Sequence, residues 1–587
     1  ACTRNDLNEK ALCFFYNMQK EAFEPSPVTL VNVLKACSAL EFLDNGRVIH
    51  ALVVEEGFEF GTIIGSAVTN MYAKCGELTD ASCVLERQPN RHIGIWNALI
   101  TGYTQHGSGE KALKLFQKMS NNGFMPNEVT FVCILKACTG MASFDDGKQV
   151  HILIIENGLE QDCFITSSLI DMYTAFGSLH DARRVFDMVL KRNELSWSAI
   201  VIGYAQHGCS EEALHLFQKM QLEDARGDLF TFVYILKACT DIIALEQGLL
   251  IHYIIIEMGI KLDSCLGSTL IDFYAKCSSV KDATNVFVHL PKQNVVTWSA
   301  LIAGYTRHNL GDEALKCFRR MQDEGISPNA VTFICILKAC GSTASLHIGE
   351  EIHAEVKKQG LLGKDVVLAT ALIDMYAKCG VLRKSQQIFD KLRVRNVICW
   401  NSLISGYVEH EHVVQAYKCF RQMGEEGIFP DAVTFICILK ACSRTGGLEM
   451  GKEIHAKANS QGLLEKDILL GTTLVDMYAK CGKLHEAQEV FDEFPIQNVV
   501  SWNALIAGYT QHGFSDEALA CFKQMQDEGI SPNSVTFISI LKACGSRGSL
   551  EMGEEIHHKI SKQHLLGKDV VLGTTLVDMY AKCGMLS

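Results

Sequence analysis

The chain has 587 residues, of which 48% are hydrophobic and 21% are charged, and its formal net charge is −13. No segment approaches the roughly 18 uninterrupted apolar residues of a membrane span, because the longest candidate, Ile251–Ile260, contains His252 and Glu257. The length alone would suggest about four globular domains, but an internal repeat overrides that estimate.

The repeat is marked by the five tryptophans of the chain. They are Trp96, Trp197, Trp298, Trp400 and Trp502, at spacings of 101, 101, 102 and 102 residues. A fixed long period is typical of a solenoid. Each period divides into three motif types of 35, 35 or 36, and 31 residues, exemplified by Val499–Asn533, Ser534–Asp569 and Ile468–Asn498.

In chain order the motifs account for the whole sequence as one continuous solenoid. Residues 1–26 are the tail of a first-type motif, and 27–92 hold a second-type and a third-type motif. Complete triplets follow at 93–193, 194–294, 295–396 and 397–498. The last segment, 499–587, contains a first-type motif, a second-type motif and a truncated third-type motif.

Each motif has the pattern helix, turn, helix. Apolar residues three and four positions apart from Trp502 to Tyr509 predict a first helix that ends near Gly513. A second apolar run ends before Pro532, where the chain must turn. A helix pair of this size cannot bury a core alone. We therefore expect an all-α fold, a superhelical solenoid of stacked helix-turn-helix repeats.

Cysteine and histidine recur by position and not in metal-binding patterns. The Lys-Ala-Cys slot holds Cys37, Cys138, Cys239, Cys340, Cys442 and Cys544, and one histidine slot holds His50, His151, His252, His353, His455 and His557. No Cys-x-x-Cys, phosphate-binding loop or nucleophile motif occurs. We expect buried packing thiols, no metal, no cofactor and no catalytic residue in this segment.

The motifs resemble a known family. Openings of the form Trp-Asn-x-Leu-Ile-x-Gly-Tyr, runs of Asp-Met-Tyr-Ala-Lys-Cys-Gly and closing Gly-Ile-x-Pro-Asn resemble pentatricopeptide repeats of the land-plant subgroup in which P, L and S motifs alternate. The first, second and third motif types correspond to P, L and S. The resemblance covers essentially the whole chain and implies that single-stranded RNA is read at one base per repeat.

Positions 2, 5, 9 and 13 of each first helix lie on one stripe. Position 5 is small and polar in every P and S motif: Ser66, Asn97, Ser167, Ser198, Ser268, Ser299, Thr370, Asn401, Thr472, Asn503 and Thr574. After His92, the last residue of every complete P and S motif is Asn or Asp: Asn127, Asn193, Asp228, Asn294, Asn329, Asn396, Asp431, Asn498 and Asn533. A solvated surface turn would also admit Lys, Glu or Gln at position 5, so the restriction favours contacts to base edges.

The resemblance also implies a code. Ser or Thr at position 5 favours purines and Asn favours pyrimidines, while a last residue Asn favours A or C and Asp favours G or U. Read from the N-terminus as 5′ to 3′, the predicted target is 5′-C-x-A-G-x-A-A-x-A-U-x-A-C-x-R-3′, where R is a purine. The x positions belong to L motifs, whose position 5 is apolar. The pair Ser66 and His92 lies outside the code.

Two further positions on the stripe bear on RNA binding. Position 2 is mostly apolar, which suits contact with base faces, although ordinary packing between repeats is the alternative. The acidic net charge is an objection to RNA binding, but lysines at position 9 of L motifs and position 13 of most S motifs predict a basic groove inside an acidic shell. The alternative is that these lysines solvate helix ends.

The subgroup implies organellar C-to-U RNA editing in the mitochondrion or chloroplast, with editing cofactor proteins or a deaminase in trans as partners. The alternatives are a protein-binding helical scaffold and an RNA stabilisation or splicing factor. We expect neither DNA nor a membrane as a partner. The chain starts and stops inside repeats, so it reads as a fragment, with any targeting peptide and deaminase-like domain outside it.

Overall fold

The computed structural model describes residues 2–21, 23–88, 92–362, 365–464, 466–493, 497–563 and 569–585, and the regular secondary structure in these ranges is α-helical throughout. The chain divides into two compact units, Ala1–Gln293 and Asn294–Ser587. Each unit is a stack of helical hairpins, which confirms the predicted all-α solenoid of paired helices.

The first unit contains the helices α1 Cys2–Lys20, α2 Pro27–Leu40, α3 Leu43–Glu55, α4 Thr62–Lys74, α5 Leu78–Arg87, α6 Ile93–Gln105, α7 Gly109–Asn121, α8 Glu128–Gly140, α9 Phe144–Glu156, α10 Cys163–Ala175, α11 Leu179–Met188, α12 Glu194–Gln206, α13 Ser210–Leu222, α14 Leu229–Asp241, α15 Leu245–Glu257, α16 Ser264–Lys276 and α17 Val280–His289.

The second unit contains α18 Val295–Arg307, α19 Gly311–Asp323, α20 Ala330–Thr343, α21 Leu346–Lys358, α22 Val366–Lys378, α23 Leu382–Asp390, α24 Val397–Glu409, α25 Val413–Glu425, α26 Ala432–Thr445, α27 Leu448–Ser460, α28 Ile468–Lys480, α29 Leu484–Asp492, α30 Val499–Gln511, α31 Ser515–Asp527, α32 Ser534–Arg547, α33 Leu550–Lys562 and α34 Val570–Lys582. The even-numbered helices are the first helices of the motifs, and the odd-numbered ones are the second helices.

The first helices form a layer of their own within each unit. From α2 to α16, and again from α18 to α34, every first helix packs against the next first helix. The second helices pack behind this layer. Close approach is possible because of glycine: a Cβ added to Gly508 in α30 would lie 2.5 Å from the Cβ of Ala479 in α28.

The tryptophans of the P motifs are core residues that join consecutive repeats. All five are nearly inaccessible to solvent. Three rings lie edge-on to a phenylalanine of the preceding S motif, with centroids 4.7, 4.4 and 4.5 Å apart: Trp197 on Phe186, Trp400 on Phe389, and Trp502 on Phe491. An aromatic pair of this geometry contributes about 0.5–1.5 kcal/mol beyond its buried area. The regular spacing of the tryptophans in the sequence therefore reflects a packing contact that repeats between consecutive hairpins.

The recurrent histidines also have structural partners. The Nδ1 atoms of the L-motif histidines form hydrogen bonds of 2.7–3.0 Å with a tyrosine hydroxyl of the following S motif, as in His455 with Tyr478 at 3.0 Å. Burial lowers the pKa of five of them, including His455. The cysteines of the Lys-Ala-Cys slot are fully buried free thiols, as the packing interpretation predicts.

Across the part of the chain that the structure describes, no helix is both long enough and apolar enough to cross a membrane.

Candidate functional site

The first-helix layer presents positions 2, 5 and 9 on one face. At the N-terminal end of the first unit, an open cavity of about 690 Å³ is lined by residues of four consecutive first helices, α2, α4, α6 and α8. Its walls include Lys35 at position 9 of an L motif, Ser66 and Asn97 at position 5 of the next two motifs, and Val129 at position 2. The spacing of the stripe predicted this common face.

Position 2 forms a row of exposed apolar side chains on this face. In the P and S motifs other than those with Gly94 and Cys265 at this position, exposure ranges from 47% for Leu195 to 73% for Ile63. The L motifs continue the row with Val28, Val129, Phe230, Val331, Val433 and Val535, which the sequence interpretation did not include. Side chains this exposed contribute little to packing between repeats, and an exposed apolar row commonly marks a binding surface.

The last residues of the P and S motifs are helix N-caps. Asn127, Asn193, Asp228, Asn294, Asn329, Asn396, Asp431, Asn498 and Asn533 each accept a hydrogen bond from a backbone N–H in the first turn of the following helix. Asn and Asp are preferred caps for this reason alone. Their restriction is therefore not by itself evidence for base contacts, a structural role that the sequence interpretation missed.

In the P motifs, the cap is joined to position 5 by a cluster that we call the junction triad. It consists of position 5, the last residue of the same motif, and the threonine at position 3 of the next L motif. In the Asn401 triad, Asn401 Nδ2 donates to Asp431 Oδ1 at 2.9 Å, and Thr434 Oγ1 donates to Asn401 Oδ1 at 2.6 Å.

The same arrangement recurs in four more P motifs. Asn97 and Asn503 donate to Asn127 and Asn533 at 2.9 and 3.0 Å, with Thr130 and Thr536 each donating back at 2.6 Å. The serine triads are bridged by threonine: Thr231 Oγ1 donates to Ser198 at 2.9 Å, and Ser299 lies 2.7 Å from Thr332 Oγ1. Sequence reasoning missed these threonines, although Asn-x-x-Thr or Asp-x-x-Thr before an apolar run has capping-box spacing.

The side chain of the last residue ends in two polar atoms, which we call its arms: Oδ1, and either Oδ2 of Asp or Nδ2 of Asn. The triad binds the Oδ1 arm and leaves the other arm without a partner among the described residues. Asp431 Oδ1 accepts from Asn401 Nδ2 and from the N–H of Thr434 at 2.9 Å. Within the described ranges, Asp431 Oδ2 and Asn127 Nδ2 have no hydrogen-bond partner. Asp431 and Asn533 are exposed, whereas Asn401 is only 9% exposed. The site thus combines a buried polar side chain at position 5 with a solvent-accessible polar atom on the last residue.

Burial raises the pKa of Asp431, but hydrogen bonds from Thr434 and Asn401 outweigh this effect and lower it overall. The carboxylate is therefore ionised at neutral pH. An Asn in the same place offers an N–H donor where this Asp offers an anionic acceptor. The chemical difference between the two residue types is confined to the accessible arm.

Position 5 of the S motifs has a different arrangement. Its hydroxyl donates to a carbonyl one turn earlier, at 2.9, 2.8, 2.9, 2.7, 2.8 and 2.9 Å for Ser66, Ser167, Ser268, Thr370, Thr472 and Thr574. Among the described residues, Ser167, Thr370 and Thr472 form no hydrogen bond to Asn193, Asn396 and Asn498. Thr472 is 7% exposed. In the part of the chain that the structure describes, direct hydrogen bonds within predicted pairs therefore occur only in P motifs, and even there Ser198 is joined to Asp228 through Thr231.

The two predicted sets of lysines differ. The position-9 lysines of the L motifs are all exposed: Lys35, Lys136, Lys237, Lys338, Lys440 and Lys542. The position-13 lysines of four S motifs form ion pairs with the position-9 aspartate of the same helix, such as Lys480 with Asp476 at 2.8 Å. These pairs cancel charge, so the expectation that both sets add positive charge to the face is wrong for these four S motifs.

Comparison with protein-family models matches the PPR repeat family at residues 91–140, 293–342, 395–444 and 497–546, and the PPR repeat at 195–224, 367–397 and 472–498. Among curated proteins of Arabidopsis thaliana, "Pentatricopeptide repeat-containing protein At3g09040, mitochondrial" is 34% identical over 98% of this chain. The chain spans 56% of the length of that relative. "Pentatricopeptide repeat-containing protein At4g18520, chloroplastic" is also 34% identical, over 86% of this chain and 82% of its own length.

Among solved structures, the pentatricopeptide repeat protein PPR10 from maize matches 100% of this chain and 96% of its own, with a TM-score of 0.58 and 18% identity. PPR10 in complex with an 18-nt psaJ RNA element matches 92% of this chain and 85% of its own, with a TM-score of 0.56 and 16% identity. At 16–18% identity, this similarity shows that the fold is shared and nothing more.

Proposed function

Because the chain belongs to the pentatricopeptide repeat family, we propose that its first-helix face binds single-stranded RNA and that each P and S motif selects one base. The exposed apolar row at position 2 provides flat surfaces against which bases stack. The unsatisfied arm of the last residue lies beside it and provides the hydrogen bond that distinguishes one base from another. The related PPR10 has been solved with RNA bound, which supports this use of the fold.

The observation that carries the proposal is the junction triad. It fixes Oδ1 of the last residue in the same position whether the residue is Asn or Asp, and leaves Nδ2 or Oδ2 for a ligand. Uracil presents N3–H to an acceptor, whereas cytosine presents an unprotonated N3 to a donor. The carboxylate of Asp431 therefore suits U, and the amide of Asn533 suits C.

We further propose the target 5′-C-x-A-G-x-A-A-x-A-U-x-A-C-x-R-3′, with x at the L motifs. The hydroxyls of Ser167, Thr370 and Thr472 donate to their own helices, so toward a base they act as acceptors. The smaller side chain also leaves more room above the helix than Asn does, which agrees with the larger purine rings assigned to these positions.

We also propose that the chain is an array of alternating P, L and S repeats. In the cell, it would select sites for organellar C-to-U RNA editing, and a further domain or a partner protein would supply the deaminase activity. The mitochondrial and chloroplastic names of the relatives support an organellar location. The alternation of 35-, 36- and 31-residue motifs supports the subgroup.

The test is binding of the purified 587-residue chain to a 15-nucleotide strand with the proposed sequence, compared with a scrambled strand of the same composition. Fluorescence anisotropy at fixed salt should give a lower Kd for the proposed strand. Each matched contact is worth roughly 1–3 kcal/mol, so a few correct assignments would separate the strands by more than tenfold. Equal affinities would contradict the assigned code, and absence of RNA binding would contradict the function.

A further inference from the structure

The L motifs carry a positive charge on the first-helix face that no described carboxylate holds in an ion pair. Each has a lysine at position 9, and none of these six forms an ion pair with a described residue. Lys35 lines the same cavity as Ser66 and Asn97, which places its side chain beside the positions proposed to read bases. The apolar position 5 of the same motifs, such as Ile436, has no hydrogen-bonding group for a base.

The S motifs offer no such free charge in four cases. The position-13 lysine lies 2.9, 2.9, 2.8 and 2.7 Å from the position-9 aspartate one turn earlier: Lys276 with Asp272, Lys378 with Asp374, Lys480 with Asp476, and Lys582 with Asp578. A phosphate that approached one of these lysines would have to compete with a carboxylate already in place.

The two remaining S motifs vary the pattern. In α10, position 13 is Ala175, and Asp171 at position 9 lies within the electrostatic influence of Lys136 from the preceding L motif. Desolvation raises the pKa of the Asp171 carboxyl, and the charge of Lys136 lowers it. In α4, position 9 is Asn70, so Lys74 has no carboxylate on its own helix one turn earlier.

Summing position 9 of each L motif with positions 9 and 13 of the following S motif gives an uneven charge along the array. Lys35 and Lys74 give +2, Lys136 and Asp171 give 0, and each of the other four junctions gives +1, from two lysines and one aspartate. Counterion release makes the affinity for a phosphodiester strand depend on the lysines that are free to contact it. Among the lysines at positions 9 and 13, only the position-9 lysines of the L motifs are free of an ion pair with a described residue in every repeat.

We propose that the position-9 lysines of the L motifs bind the phosphodiester backbone, so that an L motif holds its nucleotide by the phosphate and leaves the base unread. This rests on the proposed RNA-binding function and assigns the L motifs a part in it. This contact is weaker at Lys136, because the nearby charge of Asp171 repels the phosphate.

The test compares salt dependence in the full chain. The variant Lys338→Gln/Lys440→Gln/Lys542→Gln removes three of the six position-9 lysines, all exposed, and its fold is checked by circular dichroism. Anisotropy titrations of the proposed 15-nucleotide strand and of its scrambled version are run from 50 to 200 mM salt. The slope of log K against log salt is negative, and each lost phosphate contact reduces its magnitude by about 0.7 for a single strand. The magnitude should decrease by about 2, which shrinks the ratio of Kd at the two salt concentrations by about 20-fold.

The matched control removes three ion pairs without changing the net charge: Asp374→Asn/Lys378→Gln, Asp476→Asn/Lys480→Gln and Asp578→Asn/Lys582→Gln combined. Its slope should stay within about 0.5 of the wild-type slope. In the opposite direction, Asp171→Asn should tighten binding of both strands, because it removes the negative charge near Lys136.

An unchanged slope in the L-motif variant, or an equal loss in the control, overturns the phosphate assignment. In that case a wild-type preference for the proposed strand over the scrambled one would leave the proposed function standing. Loss of strand preference in the L-motif variant, with the slope unchanged, would also overturn the phosphate assignment, because a backbone contact weakens all sequences alike. A wild-type chain that binds neither strand overturns both proposals.

Discussion

The substitution Asp431→Asn isolates the chemical group proposed to read a base. The junction triad uses Oδ1 of Asp431, which accepts from Asn401 Nδ2 and from the N–H of Thr434 at 2.9 Å. Asn533 makes the equivalent bonds through its own Oδ1, at 3.0 Å from Asn503 and 3.1 Å from Thr536. An asparagine at 431 therefore keeps the cap and the triad and changes only the free arm, from an anionic acceptor to an N–H donor.

Because only one side-chain atom changes, the expected effects on stability and on base preference can both be estimated. Because Asn and Asp are equivalent N-caps, the free energy of unfolding should change by less than about 0.5 kcal/mol. The base preference should move from U to C at the tenth nucleotide of the target, by roughly 1–3 kcal/mol, which is about 5- to 150-fold in relative affinity. Four strands that differ only at this nucleotide, titrated by anisotropy against wild type and variant, measure the shift.

The control Asp431→Ala removes the cap as well as the arm. It should lower stability by about 1 kcal/mol and bind the strands with U and C at this nucleotide with nearly equal affinity. A preference for U that persists in Asp431→Asn would refute the assignment of the free arm as the reader. A shift that appeared only with loss of stability would instead indicate that the triad had rearranged.

Three further predictions test the site and the packing that supports it. Asn503→Thr should move the preference at the thirteenth nucleotide from pyrimidine to purine, and an unchanged ranking of the four bases would contradict the role of position 5. Gly508→Ala should destabilise the second unit by about 1–3 kcal/mol in urea unfolding, because the new Cβ would lie 2.5 Å from that of Ala479. Gly424→Ala, in a helix where a Cβ meets nothing within 4 Å, should stabilise by about 0.5–1 kcal/mol. Burial lowers the pKa of His455 below its usual 6.5. Below that pH the unfolded chain takes up a proton that the folded chain resists, so wild type should lose more stability between pH 7.5 and 5.5 than His455→Asn, and parallel melting curves would refute this.

Much of the architecture follows from residues close together in the chain. The three- and four-residue spacing of apolar side chains, the helix-ending glycines and the tryptophan period all act through local backbone geometry or through packing that repeats identically. These features predicted the paired helices, the stacked fold and the common face of positions 2, 5 and 9. Position 2 of the L motifs, which is Val in five motifs and Phe230 in the sixth, carries the same sequence signal, although the sequence prediction did not include it.

The chemistry of the site depended on contacts that the repeat pattern does not reveal. Whether the carboxyl or amide of residues such as Asp431 is a base contact, a helix cap or both is decided by atoms of Asn401 and Thr434, which belong to two different helices. Asn401 is 30 residues from Asp431 along the chain, and only stacking of the first helices brings them together. The S motifs also have Ser or Thr at position 5, but within the described ranges Ser167, Thr370 and Thr472 form no hydrogen bond to the last residue of their own motif, a difference that a residue code does not show.

The sequence by itself determined a helical repeat array with restricted polar residues at fixed positions, because helix periodicity is a short-range property. Only the tertiary structure decided which of those polar groups are already satisfied, which arm of each last residue is free, and which lysines are neutralised by a carboxylate one turn away. Hydrogen bonds and ion pairs depend on distances of a few tenths of an ångström, and those distances are determined by how neighbouring repeats pack.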